Sequence, residues 1–174
     1  MTRQSISIKK LVVKPQNLWD PKSGADVWRL CARFVQCNDD GLGKRWSDVG
    51  DPLYASRGPP IRYTYEFMER YDMFTVCAFP EKYAEALQIL GSKSGRDGDK
   101  IAEAGLTPIR STKVVAPSYV ETELVLECRK IYWDDMKNSH FLVAQIEKKY
   151  PRKDYHRIYF GMIVAVLGEK QYEA

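Results

Sequence analysis

Most of the chain is organised by two apolar patterns, one repeating every second residue and one at helical spacing. Residues 5–13 (SISIKKLVV) are rich in β-branched side chains and predict a first strand. Tyr63–Arg70 (YTYEFMER) sets apolar residues at helical spacing and predicts a short helix. Residues 73–79 (MFTVCAF) predict a strand. Pro80 then opens a helix over 81–90, with Gly91 expected just past its end. A polar loop, GSKSGRDGDK, leads to a helical piece over 99–104 closed by Gly105. Short strands are expected over 107–110 and 118–120, then a long strand over 121–132 with polar residues interleaved. Residues 141–150 predict a helix ended by Pro151. A last long strand is expected over 155–167, with Gly161 marking a bulge. There is no internal repeat. The sum is mainly β with short helices, the pattern of a barrel carrying helical insertions.

Residues 20–61 break this order. They sustain neither a period of 2 nor one of 3.6, and they are dense in glycine and proline. So long a stretch without an element is unusual inside a compact domain. It is expected to be irregular or poorly ordered.

Composition adds bounds rather than a function. The 174 residues fit a single domain, 1–174. Hydrophobic residues at 44% and charged residues at 29% place the chain among globular proteins. A net charge of +4 is too small to argue for nucleic acid. The longest apolar run, near 160–167, is far short of a membrane span, and the N-terminal residues lack a leader's apolar core. The expectation is a soluble, cytoplasmic protein with no membrane or nucleic-acid partner. Cys31, Cys37, Cys77 and Cys128 form no CxxC pair and only two histidines are present, so no metal site is expected. Cys77 and Cys128 sit in strand-like apolar runs and read as buried thiols.

Two clusters have the chemistry to hold a phosphate. Arg62-Tyr63-Thr64-Tyr65-Glu66-Phe67 stands at a helix start, where free N–H groups and the dipole favour an anion. Arg62 adds a fork of donors and Thr64 a hydroxyl. The second cluster, Gly91 to Asp97, combines Ser92, Lys93, Ser94 and Arg96 with two glycines, though not at Walker spacing. An arginine at a solvated helix start and an ordinary polar loop are the plainer readings of each. Tyr155-His156-Arg157 is a third candidate, with a structural histidine the simpler role. His140 is given no role, and Lys148, Lys149, Arg152 and Lys153 read as a solvated face.

From residue 62 to about 167 the sequence resembles the flavin reductase-like family, in its flavoredoxin branch. The resemblance is carried by RYTYEF, FTVCAFP with the following YAEAL, LGSKSGRDGDKIAEAGLTP, TELVLECRKIY and YPRKDYHRIYFG, in that order. It implies an FMN-binding split β-barrel, commonly a homodimer with FMN at the subunit interface. It implies electron flow from a reduced nicotinamide, NAD(P)H, through FMN to free flavin, a ferric chelate or a redox protein. Carried over residue by residue, Arg62, Tyr63 and Thr64 fall at the FMN phosphate end, and Ser92, Lys93, Ser94 and Arg96 beside the flavin. No side chain is required as acid or base, so no catalytic residue is expected. FMN binding without reductase activity is the alternative.

The family's segment N-x-M-T-x-G-W-G, W-G-x-P, V-R-P-S is missing ahead of RYTYEF. Read one base further on, allowed codons for VQCNDDGLGKRW yield F-N-A-M-T-M-G-W-G-S-V-G. Residues 49–52 likewise yield W-G-I-P, and residues 58–61 yield V-R-P-S, at the family's spacing. The expectation is that residues 20–61 are an out-of-frame translation of that segment, opened near 19–23 and closed between Ile61 and Arg62. The product of such a gene could be inactive.

Overall fold

A computed structural model describes residues 3–12, 53–58 and 63–173. Seven strands and four α-helices are found among them. They are β1 (Gln4–Ser5), β2 (Leu53–Gly58), α1 (Tyr63–Arg70), β3 (Met73–Ala78), α2 (Ala84–Ser92), α3 (Lys100–Glu103), β4 (Pro108–Ile109), β5 (Ser118–Tyr119), β6 (Leu124–Asp135), α4 (Ala144–Glu147) and β7 (Arg157–Gly168). The main sheet is antiparallel, in the order β1-β7-β6-β3. β2 also pairs with β7, matching Leu53 to Met162 and Gly58 to Arg157. A second, two-stranded sheet joins β4 to β5. The pairings among the described residues leave the main sheet unclosed.

The core follows from strand alternation. Phe74 and Val76 on β3 and Leu124, Leu126 and Cys128 on β6 share one face, with Ile6, Ile163, Val166 and Tyr172 packed on them. On β7 the buried positions are 159, 161 and 163, then 166 and 168, so the alternation changes phase. The cause is an irregularity opposite Glu127 and Cys128, which pair with Ala165 and Ile163 and leave Val164 extra. This bulge lies three residues beyond Gly161; a second irregularity, with Ile131 of β6 left extra between the pairs Lys130–Gly161 and Tyr132–Phe160, falls at Gly161 as expected. Gly161 has another reason to lack a side chain: a Cβ there would stand 2.5 Å from Phe74 Cζ and 3.1 Å from Cys128 Cβ. A smaller cluster, Ala86, Leu87, Leu90 and Leu106, is built on the inner face of α2.

Several expectations are corrected. The first strand is only two residues long; Ile8–Lys10 forms a 3-10 turn and Leu11 bridges Glu173. Gly91 does not end the second helix. It is buried within α2, and the helix closes at Lys93, with Ser92 Oγ donating to the Gln88 carbonyl at 2.8 Å. The helix over 141–150 shrinks to α4, because Phe141 and Tyr150 turn to stack on each other and on Tyr155 while Leu142 is wholly exposed. The segment 20–61 is not irregular throughout, since β2 lies within it and uses its backbone groups against β7. Its remaining residues, Cys31 and Cys37 among them, lie outside the described residues. No helix among the described residues is long and apolar enough to cross a membrane.

Candidate functional site

The two phosphate-competent clusters, about thirty residues apart in sequence, meet in the fold. Arg62 lies outside the described residues. Tyr63 and Thr64 form the first turn of α1, with Tyr63 half-buried and Thr64 exposed. The loop after α2 folds onto that turn. The Arg96 guanidinium stands 5.1 Å from the centre of the Tyr63 ring and pairs with Glu66. Gly95 is what permits the approach: a Cβ there would be 2.7 Å from Tyr63 Cδ1.

The loop is ordered by its own polar groups. Ser94 Oγ accepts from Arg96 N at 3.2 Å, and Asp97 N donates to the Ser94 carbonyl at 3.2 Å. Lys93 pairs with Glu103. Lys100 Nζ donates to the carbonyls of Leu90 (2.8 Å) and Lys93 (3.2 Å), tying the loop to the ends of α2 and α3. Asp99 caps α3 by accepting from Ile101 N and Ala102 N, both at 3.1 Å, and Gly105 leaves the helix at φ +66°. Of the predicted loop residues, Arg96 reaches α1. Lys93 turns towards α3, and Ser92 spends its hydroxyl proton inside its own helix. The arrangement presents a first helical turn with its N–H donors, the Thr64 hydroxyl and one arginine fork beside an aromatic ring. That donor set suits a phosphate dianion.

The third candidate resolves into two parts. Tyr150 Oη and His156 Nδ1 share a hydrogen bond of 2.6 Å inside the aromatic cluster between β6 and β7, a structural setting. Arg157 instead points back to α1, where it meets Glu69 at 2.9 Å. Sequence reasoning missed the partners of Arg157, because Trp133, Asp135 and Glu69 lie more than twenty residues from it along the chain and nothing local pairs them with it. It also missed Glu127, a fully buried carboxylate on β6. Its oxygens accept from Thr112 N (2.8 Å), Thr112 Oγ1 (3.0 Å) and Lys113 N (2.5 Å), which pins the loop before β5. That loop, from Arg110 to Val115, lines a cavity of about 580 Å³ with Met73 and Pro117, away from the predicted site residues. Cys77 and Cys128 are buried thiols outside any disulfide, as expected; burial pushes them up to about 11 and about 12 respectively. Lys148, Lys149, Arg152 and Lys153 are exposed.

A family model described as a flavin reductase like domain matches residues 51–173. Solved structures share the fold. Flavoredoxin of Desulfovibrio vulgaris (Miyazaki F) is 22% identical, with a TM-score of 0.53, over 69% of this chain and 55% of that one. A Shewanella frigidimarina protein with a split barrel domain is 17% identical, with a TM-score of 0.55, over 70% of this chain and 54% of that one. An FMN-binding protein from Thermus thermophilus is 20% identical, with a TM-score of 0.52, over 71% of this chain and 58% of that one. The chain thus spans little more than half the length of each. No curated protein matches it. At these identities the likeness establishes the fold, a sheet-rich split-barrel architecture with short helices.

Proposed function

The chain belongs to the flavin reductase-like family, and from that membership we propose that it is an FMN-binding oxidoreductase. Electrons would pass from a reduced nicotinamide through bound FMN to a flavin or redox-protein acceptor. The observation that supports this reading is the meeting of the α1 start with the Ser92–Arg96 loop inside the family-matched stretch. The residues present fit the phosphate end of FMN. Thr64 and the first-turn amides of α1 would donate to it, Arg96 would supply the charge, and Arg62 immediately precedes the helix in sequence.

When bound, FMN supplies the two-electron redox chemistry. The chain's own residues hold and orient it. Glu66, one turn into α1, keeps the Arg96 fork above Tyr63, so the cation is aimed before any anion arrives. Tyr63 gives that fork a flat apolar support, and Gly95 lets the loop lie close. No described side chain is assigned as an acid or base. The nicotinamide donor and the acceptor are proposed from family membership alone. A homodimer is supported by Ile131, Tyr132 and Trp133, apolar and about half exposed on the outer part of β6, which a second copy would cover.

The test is a fluorescence-quenching titration of FMN with the full chain. Micromolar or tighter binding is expected, weakened about fivefold to tenfold in Thr64→Val and in Arg96→Leu, the scale of one net hydrogen bond. NADH consumption that saturates in NADH would separate a reductase from a flavin-binding module. Absence of FMN binding by the wild-type chain would overturn the reading.

A further inference from the structure

We propose that Arg157 is a positioning residue for the phosphate-binding end of α1, an assignment that rests on the FMN reading above. The starting point is that α1 has no fully buried side chain. Met68 packs against the core, but the helix is otherwise held by polar groups. Those groups gather at its C-terminal half. Arg157 is 14% exposed, and its Nε and Nη2 each donate at 2.7 Å to Asp135 Oδ1 and Oδ2 at the end of β6. Its Nη1 donates to Glu69 Oε2 at 2.9 Å. The guanidinium lies 3.7 Å from the centre of the Trp133 ring and 5.6 Å from that of Tyr65. Tyr159, two residues along the same face of β7, donates to Glu69 Oε1 at 2.6 Å. Both oxygens of Glu69 are therefore taken by one strand. Lys130 of β6 donates to the Met68 carbonyl, fastening the last turn of the helix to the same hairpin.

The geometry makes α1 a short rod clamped at one end. Thr64 precedes Glu69 by five residues, about 7.5 Å along the axis. A change of tilt at the clamp is carried to the first-turn amides and the Thr64 hydroxyl. At that end the contacts are Arg157 over the Tyr65 ring and the exposed loop, with Arg96 on Glu66 and Gly95 against Tyr63. Only a planar fork can serve two carboxylates and stack on an indole at once, so lysine would not replace arginine here.

The experiment uses the full chain and compares FMN with riboflavin, which lacks the phosphate. Dissociation constants for both are measured for wild type, Arg157→Met, Arg157→Lys and Tyr159→Phe, with amide hydrogen exchange followed over residues 63–70 and 124–128. In both Arg157 variants FMN should weaken about tenfold and riboflavin less than about twofold. Amides of 63–70 should exchange faster while those of 124–128 stay protected. Tyr159→Phe, which removes a single bond, should shift FMN in the same direction by less. Parallel weakening of both ligands would mean a general loss of structure and would overturn the assignment. Unchanged FMN binding would overturn it too, whether or not exchange of α1 quickens. If wild type shows no preference for FMN over riboflavin, the phosphate reading falls and this assignment with it. Exchange in Arg157→Met would then report separately whether the clamp holds the helix.

Discussion

Glu127 shows what a single residue can do inside a sheet that reads as apolar. Its neighbours Leu124, Val125, Leu126 and Cys128 are buried with it, and its carboxylate survives there because two backbone N–H groups and a hydroxyl meet it. From sequence it looks like the outward residue of an alternating strand; its partners lie in a loop fourteen and fifteen residues earlier that only the fold returns to it. The cysteines are the opposite case, legible from their apolar runs and found buried. Their titration has a consequence for stability. Below pH 9 both states of the chain hold the thiol protons. Between pH 9 and about 11 for Cys77, or about 12 for Cys128, the unfolded chain releases protons that the folded chain keeps. Stability should therefore fall as pH rises through that window, by on the order of 2 kcal/mol from Cys77 alone at its upper end. Urea midpoints measured from pH 8 to 11 should decline more steeply in wild type than in a Cys77→Ala, Cys128→Ala double variant. Equal slopes would refute the attribution to these thiols.

Among the elements, α1 and the loop after α2 matter most to the site. Each was recognisable alone, the helix from its spacing and the loop from its glycines and hydroxyls. Their contact was not, since it depends on how α2 packs Leu87 and Leu90 inward and so directs the chain that follows. Gly95 is the point of closest approach. In Gly95→Val the new Cβ would press on Tyr63 Cδ1, 2.7 Å away, and push the loop off the helix with Arg96. FMN affinity should drop about tenfold while the far-UV circular dichroism and the urea midpoint stay near wild type, because the loop is largely exposed. Unchanged affinity in this variant would show that the loop does not contribute to flavin binding. The β7 bulge teaches a related lesson. Gly161 stands at the irregularity around Ile131 of β6, yet the phase shift along β7 belongs to Val164, and the glycine also makes room for the Phe74 ring. A sequence marks that something unusual happens in a strand more readily than it says which residue absorbs it.

At the scale of the molecule, the family match begins at residue 51 and the fold holds a strand, β2, at Leu53–Gly58. Both fall within the stretch whose codons permit the family's missing motifs in another frame. A β-ladder is made of backbone donors and acceptors, so a six-residue pairing with β7 does not depend on the side chains that a frame change would alter. Resequencing the gene across codons 15–65 should reveal two compensating indels, one near codons 19–23 and one between codons 61 and 62. The intervening frame should encode N-A-M-T-M-G-W-G, W-G-I-P and V-R-P-S. If no neighbouring frame encodes them, the segment is native as written and the frame explanation fails. By itself the sequence determined the class of fold, the places of α1, β3, β6 and β7, and the buried thiols. All of these are set by local periodicity, capping residues and side-chain chemistry. Only the tertiary structure decided that Arg96 lies over Tyr63, that Arg157 grips Glu69 and Asp135, and that Glu127 holds a loop from inside the sheet. Those contacts join residues from 14 to 88 positions apart, and no local pattern of apolar and polar positions encodes a partner at that distance.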